Sequence, residues 1–116
     1  MMIHNEAEYI SEEIKMAARL FVFLAEGTVT DSADFRLGSR HHLMIFVTAL
    51  SLKHAKTQAL SAAFEDGWSH TEIKKGFEIE AGLHSIVHET PRDAAREALR
   101  EGSGIVAYED EIAPNG

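Results

Sequence analysis

The chain has 116 residues, a length typical of one domain. Hydrophobic residues make up 45% and charged residues 26%, a balance that excludes a disordered tail, a collagen-like fibre and a low-complexity linker. There is no cysteine, which excludes a disulfide framework, a thiolate zinc site, an iron–sulfur cluster and a cysteine nucleophile.

The formal net charge is -8, and the acidic excess lies almost wholly in the second half of the chain. Residues 1–58 hold six basic and seven acidic side chains, whereas residues 59–116 hold five basic and twelve acidic ones. A field of this sign repels nucleic acid and anionic membranes and attracts basic protein surfaces. We therefore expect a basic protein partner and no direct binding to nucleic acid.

Targeting and membrane signals are missing from the sequence. The first residues contain neither the basic segment nor the small-residue cleavage motif of a signal peptide. The longest apolar run, Leu43–Leu50, is far shorter than the roughly 20 residues that cross a bilayer. The expectation is a cytoplasmic protein that does not engage a membrane.

The first part of the chain has the pattern of a long amphipathic helix. Asn5 is suited to cap its N-terminus, and Gly27 suits the left-handed position that follows a helix. Between them, apolar residues recur at alternating steps of four and three, which is a heptad spacing. The seam comprises Ile3, Ala7, Ile10, Ile14, Ala17, Phe21 and Leu24. A loop over residues 28–38 follows, from which Phe35 and Leu37 are expected to fold back onto the core.

A second long helix is predicted from Arg40 to Asp66, ending at Gly67. One face carries small residues that let a partner helix approach closely, namely Ala49, Ala55, Ala59 and Ala62. At ~1.5 Å per residue this helix would be near 40 Å long, which a chain of this size covers poorly. Two long helices with broad apolar faces predict a helical hairpin that forms a homodimer.

The last third of the chain predicts shorter elements. Ser69 and Glu72 form a capping box that starts a third helix, and the alternation of residues 77–81 favours a short strand. Thr90 and Pro91 start a final helix that ends at Gly102. A second short strand is predicted over residues 105–108.

Together these patterns predict a mostly α fold. Residues 1–108 form a single helical domain, a helical hairpin or bundle with additional short helices and a minor β element near residues 77–81 and 105–108. Residues 109–116 form a frayed acidic C-terminal tail.

Spaced acidic side chains and one tryptophan form the candidate binding surface. They are Trp68, Glu72, Glu78, Glu80, Glu89, Asp93, Glu97 and Glu101. Spaced carboxylates imitate the phosphates of nucleic acid and can so occupy a basic, nucleic-acid-binding surface of a partner protein. Neither a nucleophile elbow nor a glycine-rich phosphate loop occurs. The predicted function is a small non-enzymatic interaction module, an adaptor or an inhibitor.

Trp68 has two interpretations. It lies beside a glycine and outside the apolar helix faces, so it is either a plug at a corner of the core or a binding anchor. The sequence favours the plug.

A histidine-based metal or ligand site is an alternative function. Glu80, His84 and His88 are spaced by four and would share one face of a continuous helix, where they would bind a divalent transition metal. His41, His42 and His54 complete the site if the fold brings them close.

A small transcriptional regulator is the other alternative. The segment Gly67-Trp68-Ser69-His70-Thr71-Glu72-Ile73 resembles the beginning of a helix-turn-helix motif, with residues 81–89 as the recognition helix. That recognition helix would contain no lysine or arginine to reach bases and phosphates, and Lys74 and Glu78 replace the usual alanine and turn glycine.

Overall fold

The computed structural model describes residues 18–114, which form a four-stranded antiparallel sheet with one helix on each face. The strands are β1 (Arg19–Val29), β2 (Arg40–Ala49), β3 (Trp68–Glu78) and β4 (Ser103–Glu111). Helix α1 (Leu52–Glu65) connects β2 to β3, and a 3-10 turn (Leu83–Ser85) and helix α2 (Glu89–Glu101) connect β3 to β4. The strand order is β3-β1-β2-β4, so β3 and β4 are the two edges.

The prediction of a mostly α fold, all-helical and built as a hairpin or bundle, is wrong for these residues. The end of the predicted first helix is strand β1, and the first half of the predicted second helix is strand β2. Residues 1–17, on which the beginning of the predicted first helix falls, lie outside the described residues.

Strands β1 and β2 were misassigned because both are buried on two faces. The consecutive residues 20–23 are all buried, with even positions facing α2 and odd positions facing α1. A strand that is covered on both faces is apolar at every position and loses the period-two alternation that identifies a strand. The remaining apolar spacing then fits a helix as well as a strand.

Helix α1 packs closely on one face of the sheet because its buried side chains are small. Ala55, Ala59 and Ala63 are fully buried against Phe21, Phe23, Ile45 and Val47 of the central strands. The sequence predicted that a partner helix approaches this alanine face, whereas the sheet lies against it instead, and the helix spans only residues 52–65. Ser51 caps it by accepting a hydrogen bond from the His54 backbone N–H at 3.2 Å.

Helix α2 covers part of the opposite face. Ala94, Ala95 and Ala98 pack on Leu20, Val22 and Phe46, and these six residues form a second cluster of the core. The predicted final helix is confirmed, and it ends at Gly102, whose φ of 104° is left-handed. The backbone of β4 lies directly against this helix, because a Cβ built on Gly104 would come within 2.0 Å of the Ala94 carbonyl oxygen.

Strand β3 replaces both the predicted third helix and the helix-turn-helix motif, so those two interpretations are wrong. The residues from Trp68 to Glu78 pair with β1, from Val29↔Trp68 to Phe21↔Glu78. A capping box contributes only about 1 kcal/mol, which the hydrogen-bonded ladder and the burial of Trp68 outweigh.

The two short strands that were predicted have different outcomes. The strand over residues 77–81 is wrong beyond Glu78, where β3 ends, whereas the strand over residues 105–108 is confirmed as part of β4. Strand β4 continues to Glu111, so residues 109–111, assigned from sequence to a frayed tail, belong to the sheet.

The loop between β1 and β2 is fastened to the core by His41. The buried His41 ring has Nε2 2.9 Å from the Ser39 hydroxyl and Nδ1 2.7 Å from the Tyr108 carbonyl oxygen of β4. Phe35 folds back as expected, with its ring centroid 4.5 Å from that of His41 and the two ring planes tilted by 49°, whereas Leu37 is 63% exposed.

Candidate functional site

The predicted acidic residues do not converge on one surface. Glu72 and Glu78 belong to edge strand β3, whereas Glu89, Asp93 and Glu97 lie on α2, which packs on β4 and β2 near the opposite edge. A single phosphate-like array of all these carboxylates is therefore not formed in the described part of the chain.

Several of these carboxylates are already engaged by cations of the same chain. Glu72 lies 3.0 Å from the Lys74 ammonium and 3.5 Å from the Arg40 guanidinium. The hydrogen bond from Lys74 lowers the pKa of the Glu72 carboxyl. Glu78 lies 3.6 Å from Arg19. These contacts neutralise much of the charge that β3 would offer to a partner.

A polar groove at the β4 edge gathers carboxylates from both helices. The groove has a volume of about 510 Å³ and runs between α1, the end of α2 and the beginning of β4. Its acidic side chains are Glu65 and Asp66 at the end of α1 and Glu97 and Glu101 at the end of α2. No lysine or arginine is among the described residues that line it. We call this feature the acidic groove.

Two further members of the acidic groove are hydrogen-bonding groups without formal charge. Gln58 is held in place because its side-chain N–H donates to the Thr48 carbonyl at 3.0 Å. Ser61 is the other, on the same side of α1. The lining thus offers acceptors and hydroxyls, but no cation, to any group that enters.

The backbone of β4 is free on the side away from β2, because β4 is an edge of the sheet. The Thr48 N–H donates to the Gly102 carbonyl at 3.1 Å, and hydrogen-bonded pairs alternate along an antiparallel ladder. In the register Val47↔Ser103 and Ile45↔Ile105, residues 103, 105 and 107 therefore direct their N–H and C=O groups outward. Such an edge is a template for an added strand.

Sequence reasoning named two of the four groove carboxylates and missed the other two. Glu97 and Glu101 were identified from their regular spacing, whereas Glu65 and Asp66 were not singled out. Their only local signal is their place just before Gly67, at the end of α1. Their proximity to α2 follows from the strand order, which no local pattern reveals.

Trp68 is buried in the core, with 3% of its surface exposed. Its indole N–H donates to the Asp66 carboxylate at 3.2 Å, and its ring lies beside Phe35 and His41. The position is that of a plug between β3 and the loop, so the ring offers no anchor to a partner.

The histidines do not assemble into a metal centre. Among residues 18–114, no group of three or more His, Asp or Glu side chains is placed to hold a metal ion. Glu80 follows β3, His84 lies in the 3-10 turn and His88 precedes α2, so their spacing of four does not fall on one helix.

The other histidines are also dispersed. His41 is buried with both ring nitrogens hydrogen-bonded, His42 is exposed on β2, and His54 lies in the first turn of α1. A metal or ligand site built on histidines thus finds no geometric basis in the described residues.

Neither helix of the described part of the chain is long and apolar enough to span a membrane. Comparison of the sequence with family models and with curated proteins, and of the fold with solved structures, gives no match.

The geometry of the described residues defines the candidate site as the acidic groove together with the free backbone edge of β4.

Proposed function

We propose that the protein is an interaction module that binds a basic, extended segment of a partner protein along β4. The observation that carries the proposal is the acidic groove, in which carboxylates from the ends of two helices line one cavity beside a free sheet edge. Main-chain pairing with an edge strand supplies affinity, and side-chain pockets supply specificity, in the known strand-addition mode of peptide binding.

The charge of the groove supports a lysine- or arginine-containing segment. Glu65 and Glu97 have no ion-pair partner among the described residues, whereas Glu101 meets only the exposed Arg100 at 3.4 Å. Hydrogen bonds to charged groups contribute about 1.5–3 kcal/mol each when well formed, and less where water screens them. A basic side chain in the groove would form several of them at once.

The backbone of β4 supports an extended conformation of the bound segment. The outward N–H and C=O groups of residues 103, 105 and 107 are spaced to pair with alternate residues of an added strand. The added strand would place every second side chain toward α1 and the groove. The protein would then act as an adaptor or inhibitor that occupies a basic segment of its partner.

The test uses a fluorescent six-residue probe of alternating lysine and valine, with blocked termini, and measures its affinity by fluorescence anisotropy. The double variant Glu97→Gln, Glu101→Gln is expected to raise the Kd at least about tenfold, because two acceptors of the bound lysines lose their charge. The matched control Glu80→Gln, Glu89→Gln makes the same change of net charge outside the groove and is expected to leave the Kd within about twofold.

A second probe tests strand addition separately from charge. The same peptide with N-methyl groups on alternate amides keeps its lysines but cannot pair with β4 along the methylated edge, so it is expected to bind more weakly. Equal weakening by the groove variant and its control would mean unspecific attraction to an acidic protein. Equal binding of the methylated probe would rule out pairing with β4.

A further inference from the structure

Helix α2 and the connection before it leave part of their face of the sheet uncovered. A cleft of about 640 Å³ opens beside Met44, and none of residues 79–101 lines it. Its centre is formed by Leu24 and Met44, which are directly paired in the β1–β2 register and are half-buried. Tyr108 of β4 borders them and is 44% exposed.

Phe77 extends this apolar surface onto β3. It lies opposite Val22, two residues before Leu24 on the same face, and is 49% exposed. One apolar side chain from each strand thus forms a diagonal stripe, in the order Phe77, Leu24, Met44 and Tyr108. The stripe is about 20 Å long, because neighbouring strands lie about 4.8 Å apart and successive residues rise about 3.3 Å. We call this stripe the open face.

The chain that precedes β1 is attached at the end of the sheet where Phe77 lies. Residues 1–17 are outside the described residues, but their sequence contains the apolar seam that ends at Ile14. The five residue steps from Ile14 to Arg19 span up to about 17 Å. Phe77 is only three residue steps and one strand spacing away from Arg19, about 11 Å. The seam can therefore reach the open face of its own sheet.

We infer that residues 3–14 lie as a helix on the open face and cover it within one chain. The attachment to β1 fixes the direction, because Ile14 must lie near Phe77 and Ile3 at the far end, near Tyr108. The helix measures about 17 Å from Ile3 to Ile14, which is close to the length of the stripe.

The middle of the seam matches the middle of the stripe. Ile10 lies about 6 Å before Ile14 along a helix, and Leu24 lies about 8 Å from Phe77 along the stripe, so Ile10 covers Leu24. The next seam residue, Ala7, then lies over Met44. The four apolar residues of the seam thus meet the four apolar residues of the open face in order.

Charge complementarity favours this segment as the occupant. In this direction a right-handed helix turns the flank that carries Glu6 and Glu13 toward α2. The flank of α2 with Glu97 lines the β4 edge, so the flank with Arg92 and Arg96 faces the segment. Among the described residues, Arg92 donates only to two main-chain carbonyl groups and has no carboxylate partner. Glu6 and Glu13 would supply one.

The opposite flank of the segment avoids a contact between like charges. The positions beside the seam on that flank are His4 and Ser11, which face Glu26 of β1. At the far end of the stripe, Asp110 lies next to residues 2–5, which hold no acidic side chain. The acidic side chains beside the seam are thus directed at arginine rather than at the carboxylates of the sheet.

The inference uses within one chain the apolar seam that the sequence assigned to a homodimer. It is independent of the proposed function, since none of the residues that line the acidic groove lines the cleft. The β4 edge stays accessible when the segment is in place.

The first measurement is the reactivity of a thiol in the middle of the open face. The full chain has no cysteine, so Met44→Cys supplies a single thiol whose modification by a maleimide is followed by mass spectrometry. Adding Ile10→Asp is expected to speed the modification at least about tenfold, because a carboxylate cannot be buried on the apolar stripe. The matched control Asn5→Asp adds the same charge on the outer side of the helix and is expected to change the rate less than about twofold.

The second measurement locates the segment. Ala7→Cys combined with Met44→Cys is expected to form a disulfide within one chain under mild oxidation, because the two positions face each other. The matched control combines Ala7→Cys with Thr57→Cys, an exposed position of α1 on the other face of the sheet, and is expected to stay reduced. Circular dichroism confirms the folding of every variant.

Three outcomes would overturn the inference. A thiol at position 44 that reacts as fast as one at position 57 would show that the face is uncovered. A slow thiol whose rate does not respond to Ile10→Asp would show that something else covers the face. A disulfide that joins two chains, instead of closing within one, would show that a second copy supplies the segment.

Discussion

At the scale of single residues, an ion pair connects the last strand, β4, to the loop between β1 and β2. The Arg36 guanidinium donates to both carboxylate oxygens of Glu111, at 2.7 and 3.2 Å. The hydrogen bond from Arg36 lowers the pKa of the Glu111 carboxyl, and the nearby charge of His41 acts in the same direction. Since Glu111 belongs to β4 rather than to a tail, this pair joins two segments that are distant in sequence.

This pair predicts a contribution to stability that depends on pH. A carboxyl whose pKa is lowered by folding stabilises the folded state above its unfolded pKa of about 4.3, and that contribution is lost as the pH falls through the folded pKa. Urea unfolding of the parent chain and of Glu111→Gln is therefore expected to differ at pH 7, and the difference is expected to shrink and vanish as the pH falls through the lowered folded pKa of Glu111.

The control for this prediction is Glu109→Gln, an exposed change in the same strand. It is expected to follow the parent chain over the whole pH range. A constant difference between Glu111→Gln and the parent chain at every pH would show that the carboxylate acts through packing rather than through its charge.

At the scale of elements, local signals predicted the final helix and the strand that follows it better than strands β1, β2 and β3. The final helix, its end at Gly102 and the strand over residues 105–108 are signalled by residues close in sequence. Strands β1 and β2 are different, because a run buried on both faces has no amphipathic period. The composition of these strands did point to β structure, because β-branched and aromatic side chains are typical of strands. The apolar spacing, which also fits a helix, was given more weight than these residues: Val22, Phe23, Ile45, Phe46 and Val47.

The contact between α2 and β4 predicts an order of stability for two glycine variants. Gly104→Ala would place a methyl group 2.0 Å from the Ala94 carbonyl oxygen, so helix and strand must separate, at about 1–3 kcal/mol or more. In Gly102→Ala the added methyl group has no atom within 4 Å, so the only cost is that of placing a non-glycine residue at the left-handed φ of 104°, about 1–2 kcal/mol of folding stability.

Urea unfolding is expected to rank Gly104→Ala as the less stable variant. Amide hydrogen exchange distinguishes a steric separation of α2 from β4 from a local backbone strain at residue 102. Gly104→Ala is expected to reduce protection along the whole of α2, whereas Gly102→Ala is expected to reduce it only in the last turn of α2. Equal stability of the two variants would mean that α2 does not lie as close to β4 as described.

At the scale of the whole molecule, the sheet has one fully covered face and one partly covered face. The cluster on the α1 side holds twelve buried core residues, whereas α2 leaves part of its face of the sheet uncovered next to Met44, where a cleft of about 640 Å³ opens. The sequence showed a chain with more apolar residues than one hairpin could bury, but it did not show where the excess lies. The position of this uncovered apolar surface depends on which strands are neighbours in the sheet.

The candidate site also combines features that the sequence indicated with features that only the fold determines. The acidic bias of the second half and the residues Glu97 and Glu101 were evident from composition and spacing. Their combination with Glu65 and Asp66, and the free edge beside them, arises only because β4 returns to pair with β2. Pairings between residues this far apart in the chain are set by the global packing rather than by any local pattern.

The contacts of His41 join three segments of the chain at one ring. The Ser39 hydroxyl of the first loop lies 2.9 Å from His41 Nε2, and the same hydroxyl donates to the Arg36 carbonyl. The Tyr108 carbonyl of β4 accepts from Nδ1 at 2.7 Å. The first loop and the last strand therefore share a single buried side chain of β2 as part of their structure.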